Sequence, residues 1–194
     1  MTKPSVLCVF VFLTFASAAP GKSPVPRKPA ARLSPLAEAI DREISSLEKQ
    51  FVAVAEAMPP EKFDVTPESM GLNGAAFKGV RSFGAQAKHV AADNFAIWAP
   101  VGGEPEKAGI NAPNGPTEMK SREEILKFLK DSFEYSHKAV AGLTSENQLG
   151  PVKFRGREVT RMSLVILALT HATDHYGQLI EYLRMNGVIP PGSR

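Results

Sequence analysis

A chain of 194 residues, 43% hydrophobic and 22% charged, has the length to bury one core and reads as a single soluble folded domain. Its net charge is only +3, although the sequence pI is near 9.0, and its Lys and Arg residues form no stripe. Charge therefore gives no support to a nucleic-acid or membrane-surface role.

Met1, Thr2 and Lys3 form a short positive segment, followed by an apolar run over 6–15 and the small residues Ala16, Ser17 and Ala18. This is the pattern of a signal peptide over 1–18. Cleavage is expected after Ala18 rather than Ala19, since the latter would leave Pro20 at the head of the mature chain. The run is too short to span a bilayer as a stable anchor. The expected product is secreted or periplasmic, with no membrane span after cleavage; an uncleaved anchor is the competing reading. Cys8 is the one cysteine, and Leu7 before it is not the small residue that lipidation needs. Its removal with the signal excludes disulfides, thiolate ligands and a cysteine nucleophile, so His and carboxylates must hold any metal.

Residues 19–33 shift to Pro, Lys, Ser, Arg and Ala, a spacer too polar to bury. The folded domain is expected over 34–194. A first helix is predicted over 34–57, capped by Ser34 with Pro35 in the first turn. Leu36, Ile40, Ile44, Leu47, Phe51, Val54 and Met58 make its apolar stripe, and Pro59 and Pro60 end it. Residues 62–78 read as loop, broken by Pro67, Gly71 and Gly74.

A second helix is predicted over 79–98, with Phe83, Ala87, Val90, Asn94 and Ile97 facing inward. His89 stands one residue off that stripe, beside Gln86 and Asp93, and taken alone it reads as a satisfied structural histidine. Residues 100–119 are irregular. About twenty extended residues at ~3.4 Å each span the length of a bundle, so helices two and three need not be antiparallel neighbours. A loop this long often covers a site.

The third helix opens on a capping box, Ser121 to Glu124, and buries Ile125, Leu129, Phe133 and Val140 before Gly142. His137 approaches the interior but has no second donor one turn away, so it reads as a rim histidine. Residues 143–156 read as loop. The last helix, predicted over 158–186, carries His171 and His175 on one face with Leu164, Ala168, Gln178, Leu179 and Tyr182. Two rings at this spacing form half of a metal site or else a pair of hydrogen-bonded histidines, and the spacing leaves both open. Beside such a helix, His89 becomes a candidate third donor. Gly187 and then Pro190 and Pro191 end the helix. Four helices of about twenty residues and no convincing strand predict an all-α four-helix bundle, a fold that builds metal sites from inward side chains.

The tail HATDHYGQLIEYLRMNGVIPPGSR resembles the closing signature of the DinB-like family of metal-binding four-helix bundles. VRSFGAQAKHVAADNFAIW is similar to that family's second helix and MPPEKFDVTP to its first interhelical loop, so the likeness covers about 33–194. The resemblance implies that His89, His171 and His175 are three metal ligands and that the helices run up-down-down-up, which the long connector permits. The family includes thiol-dependent S-transferases and a mycothiol-dependent isomerase. This chain departs from them in its predicted export signal, because their small-thiol cosubstrates are cytosolic.

Three imidazoles leave a divalent ion with an open position and its full charge, suited to activating water or a thiol. Nitrogen donors favour Zn, Ni, Cu or Fe over Mg or Ca, and zinc is expected from availability after export. Asp93 and Asp174, each one turn from a histidine, are candidate proton acceptors or partners of a ligand N–H. Tyr176 and Gln178 flank the pair, and Gln178 could orient water or a ring. Arg184 reads as a surface ion pair. Two functions stay open: a metal-dependent hydrolase or S-transferase acting on an unidentified small molecule, or a non-catalytic bundle with a structural ion. A homodimer is compatible with the sequence, which does not select an oligomeric state.

Overall fold

The computed structural model describes residues 33–103, 110 and 113–192. The predicted signal peptide and all of the spacer but Leu33 lie outside the described residues, as does part of the connector after the second helix. Helix α1 spans Pro35–Ala57, α2 Phe83–Gly102, α3 Arg122–Val140 and α4 Arg161–Met185. The Ser34 hydroxyl accepts from the Ala37 N–H at the head of α1, and Ser121 and Glu124 form the expected reciprocal capping box on α3. No helix among the described residues is long and apolar enough to cross a membrane.

Three predicted boundaries move. Helix α2 starts at Phe83, where Ser82 accepts from the Ala85 N–H, and it runs through Pro100 to a left-handed Gly103 cap. Proline at 100 deletes one hydrogen bond near the helix end, while Trp98 and Val101, both about 2% exposed, hold that turn in the core. Helix α4 starts at Arg161 rather than 158. The expectation of no strand is overturned as well: β1, Pro151–Phe154, pairs antiparallel with β2, Arg157–Thr160. Arg155 and Gly156 between them both have positive φ, 46° and 77°, which marks a two-residue primed hairpin turn.

Helix α1 packs on α3 and α4, and α2 packs on the same two. Contacts give their directions. Asn94 donates to Ser132 and Gly102 approaches Ala139, so α2 and α3 run parallel. Lys130 pairs with Glu56 and His137 with Asp41, so α1 and α3 are antiparallel. His89 meets His171 and Gln86 meets Gln178, which makes α2 and α4 antiparallel. The four helices therefore run up, down, down and up. Nearly every face of α2 is buried, down to Ala91 and Ala92, and an all-round apolar helix of this kind fills a bundle's centre. Three of its buried groups are polar or ionisable in one column: Gln86, His89 and Asp93.

His137 sits away from that column, with Nδ1 2.5 Å from Asp41 and Nε2 3.2 Å from Glu48. Burial lowers its pKa, but the two carboxylates of α1 outweigh it and leave the ring above its usual 6.5. A raised folded-state pKa contributes stability that is present below the unfolded value and disappears as pH rises through the folded one. Urea unfolding should therefore show wild type more stable than His137→Gln at pH 6, by ~1 kcal/mol at most for so open a pair. By about pH 9 the difference should be gone; an advantage that grows with pH would refute the clamp.

Candidate metal centre

The start of α2 is fixed by the loop before it. The Phe83 and Gly84 N–H groups, orphaned at a helix N-terminus, donate to the carbonyls of Val65 and Phe63. One and a half turns later α2 points His89 at α4, where the Thr160 cap sets the register of His171 and His175. The three rings meet edge to face, with centroids 5.0 Å apart for His89 and His171, 4.8 Å for His89 and His175, and 4.6 Å for His171 and His175. One ring nitrogen from each lies within 4.8 Å of the other two, and this is the one such cluster able to hold a metal ion among the described residues.

The tautomer of His89 is set by its surroundings. Its Nδ1–H donates to the carbonyl of Pro113, which leaves the Nε2 lone pair directed at α4. There it lies 3.1 Å from Nε2 of His171. Burial lowers the pKa of all three rings, and the neighbouring rings push His175 down further, to about 4. All three are neutral at neutral pH, the form that ligates.

A hydrogen bond between His171 and His89 would satisfy those two Nε2 atoms and nothing more. Nδ1 of His171 and Nδ1 of His175 remain buried without a protein partner, a condition that costs about 1–3 kcal/mol for each group. A cation between His89 and His171 takes up their facing Nε2 lone pairs, with one nitrogen of His175 as the third donor. Two nitrogens at about 2.1 Å from one tetrahedral ion stand ~3.4 Å apart, close to the 3.1 Å between His89 and His171. The donor set fits a divalent ion.

Asp93 completes the cluster's inner wall. Its Oδ2 lies 3.3 Å from His171 Nε2 and 3.9 Å from His89 Nε2, while Oδ1 accepts from Arg155 Nη2 at 2.8 Å. Arg155 is the residue beside the cluster that sequence reading missed; Gly156 was the one local signal of the turn, and Arg-Gly is not a dipeptide that marks a two-residue hairpin. Its guanidinium also covers the Phe154 ring at 5.0 Å.

Asp174 stays at the surface and accepts from Gln178 Nε2 at 2.8 Å. Gln178 Oε1 in turn accepts from Gln86 Nε2 at 2.5 Å. Because the carboxylate can only accept, this chain fixes both amide orientations and leaves Gln86 Oε1 buried and free. Tyr176 packs against Phe51 of α1, and Arg184 pairs with Glu181 on the surface. His137 belongs to the α1–α3 clamp, as a rim histidine should.

The DinB family pattern matches residues 38–193. Among solved structures, the chain is similar to a crystallised DinB-like protein from Bacillus cereus, with a TM-score of 0.62 at 16% identity over 80% of this chain and 95% of that one. At that identity the likeness speaks for the fold alone. No curated protein matches the sequence.

Proposed function

The chain belongs to the DinB family, and on that footing we propose that His89, His171 and His175 hold a catalytic divalent ion, zinc by availability, with hydrolysis of a small molecule as the reaction and thiol transfer as the alternative. The observation that carries this is the convergence of three neutral imidazoles, one nitrogen of each within 4.8 Å of the others, beside a buried carboxylate. An ion there would supply Lewis acidity to a bound water or thiol. The export pattern over 1–18 favours water, since small-thiol cosubstrates are cytosolic, and it supports a secreted or periplasmic destination.

The chain's own residues divide the remaining work. Pro113 holds His89 in one tautomer through Nδ1, and Arg155 holds Asp93 through Oδ1, so that Oδ2 faces the ring nitrogens. From there Oδ2 is placed to accept a proton from the attacking group. Gln86 Oε1 is a fixed, buried acceptor one turn from His89. Gln178 acts through Gln86 rather than at the centre, and Asp174 anchors that pair.

Elemental analysis of protein purified without a nickel column tests the site. One metal ion per chain is expected, and none in the triple His→Ala variant. Asp93→Asn should keep the metal and lose turnover of a p-nitrophenyl ester by about 10²–10⁴-fold. Equal metal content in wild type and triple variant would end the proposal.

A further inference from the structure

Under the hairpin lies a cavity of about 500 Å³, walled by Phe154, Val159, Leu164 and Leu167 and rimmed by Arg155 and Arg157. Strand alternation places Phe154, Arg157 and Val159 on its side and turns Lys153 and Glu158 away. Leu164 and Leu167 lie on α4 two turns and one turn before His171, and Arg155 is shared between this cavity and the Asp93 carboxylate beside the rings. Resting on the function proposed above, we infer that this cavity is the substrate pocket and that it selects an amphipathic anion, an organic carboxylate with an apolar body.

Three observations carry the ligand class. Four of the seven lining residues are apolar, with Ser163 and the two guanidiniums as the polar groups, and the volume falls in the range of small-molecule sites. Leu167 is 39% exposed and Leu164 only 2%, so the apolar surface continues from the mouth to the floor. The rim groups are guanidiniums, whose planar donors match a carboxylate. Arg155 has spent one nitrogen on Asp93, while Arg157 pairs with no carboxylate among the described residues. Two cations against one anion leave the rim positive, and the ion beside Asp93 adds to it, so the pocket calls for an anion.

The backbone adds an independent sign. Arg155 adopts φ 46° at a turn position where Asn, Asp or Gly is favoured. From that strained position the guanidinium reaches both Asp93 and the cavity.

Calorimetric titration of the zinc-loaded full chain with 4-phenylbutyrate, 4-phenylbutan-1-ol and phenyl phosphate at pH 7.5 tests this. The carboxylate is expected to bind at least tenfold more tightly than the alcohol and more tightly than the phosphate. Arg157→Ala and Arg155→Asn should each weaken it about tenfold; the Asn variant also suits the turn, so misfolding would not explain its loss. Leu167→Glu, at an exposed position, should abolish binding by placing a like charge in the pocket. The metal-free triple His→Ala variant should keep the carboxylate affinity within about threefold. Binding that survives Arg157→Ala and Leu167→Glu, that vanishes with the metal, or that favours the dianion or the alcohol would overturn the inference, as would no detectable carboxylate binding. Zinc content measured on the same samples separates the two proposals. Full zinc with no carboxylate binding sinks the pocket alone, and a zinc-free wild type sinks the metal centre.

Discussion

Replacing His175 by Leu is expected to stabilise the metal-free protein and to abolish its stabilisation by zinc. The ring is 7% exposed, and its Nδ1 is buried with no partner. Leu is of similar bulk and carries no polar atom, so the substitution removes a penalty of ~1–3 kcal/mol at some cost in fit. A net gain of about 1 kcal/mol, or ~2–4 °C in Tm, is expected in EDTA. With zinc at about 100 times its Kd, wild type gains ~2.7 kcal/mol, and the variant, with two rings left, gains almost nothing. The order of stability therefore inverts between the two conditions.

The pH dependence follows from the same ring. Its folded-state pKa, about 4, lies below the usual 6.5. Between those values the unfolded chain binds more protons, so metal-free stability rises with pH across the window and is lost as pH falls. His175→Leu should flatten that slope. Urea unfolding at pH 5 and pH 7.5, with EDTA or zinc, measures all four quantities. A variant less stable than wild type in EDTA, or stabilised by zinc as strongly as wild type, would remove His175 from the ligand set. Wild type itself should stay folded in EDTA, because all four helices contribute to a continuous apolar core. Unfolding on chelation would instead favour an ion whose role is to tie α2 to α4.

The helices were legible in the sequence because their signals are local. Ser34 with Pro35, the Ser121–Glu124 box and the Ile40, Ile44, Phe51, Val54 column each set an end or a face within a few residues. The His171–His175 pair is also local, one helical turn. The hairpin was not legible because four-residue strands carry too little alternation to distinguish from loop, and its pairing depends on a turn whose first residue is Arg155 rather than Asn or Gly. Helix α2 hid its ends for the opposite reason. It is apolar on nearly every side, so periodicity gives no boundary, and Pro100 reads as a stop although the core holds the turn around it. Asp93 was legible as well, one turn from His89, whereas what brings Arg155 and the Pro113 carbonyl to the rings is long-range packing, to which sequence spacing is blind.

Gly84→Ala is expected to cost about 2 kcal/mol and to weaken zinc binding from a distance. A Cβ at position 84 would lie 2.6 and 2.7 Å from two carbons of the Phe63 ring and 3.1 Å from the Phe63 carbonyl oxygen. That oxygen already accepts the Gly84 N–H at 2.7 Å, so the backbones cannot part without giving up a helix-start hydrogen bond. Nor can the ring swing freely: Phe63 is 3% exposed, meets Phe83 edge to face at 5.5 Å and has the Arg122 guanidinium 5.7 Å above it. Overpacking of this kind costs about 1–3 kcal/mol, against which the helix preference of Ala over Gly returns up to ~1 kcal/mol. Phe63→Ala alone should cost about 3–5 kcal/mol as a cavity. In that background Gly84→Ala should be neutral or stabilising, because the colliding ring is gone, giving a coupling of roughly 2 kcal/mol. Urea unfolding of the four proteins in EDTA yields the cycle, and strict additivity would show that the ring does not confine position 84. Since this junction sets where α2 begins, and His89 follows five residues on, relief by moving α2 displaces one ring relative to the two on α4. Zinc affinity in Gly84→Ala should therefore fall several-fold although the substituted residue touches none of the three histidines.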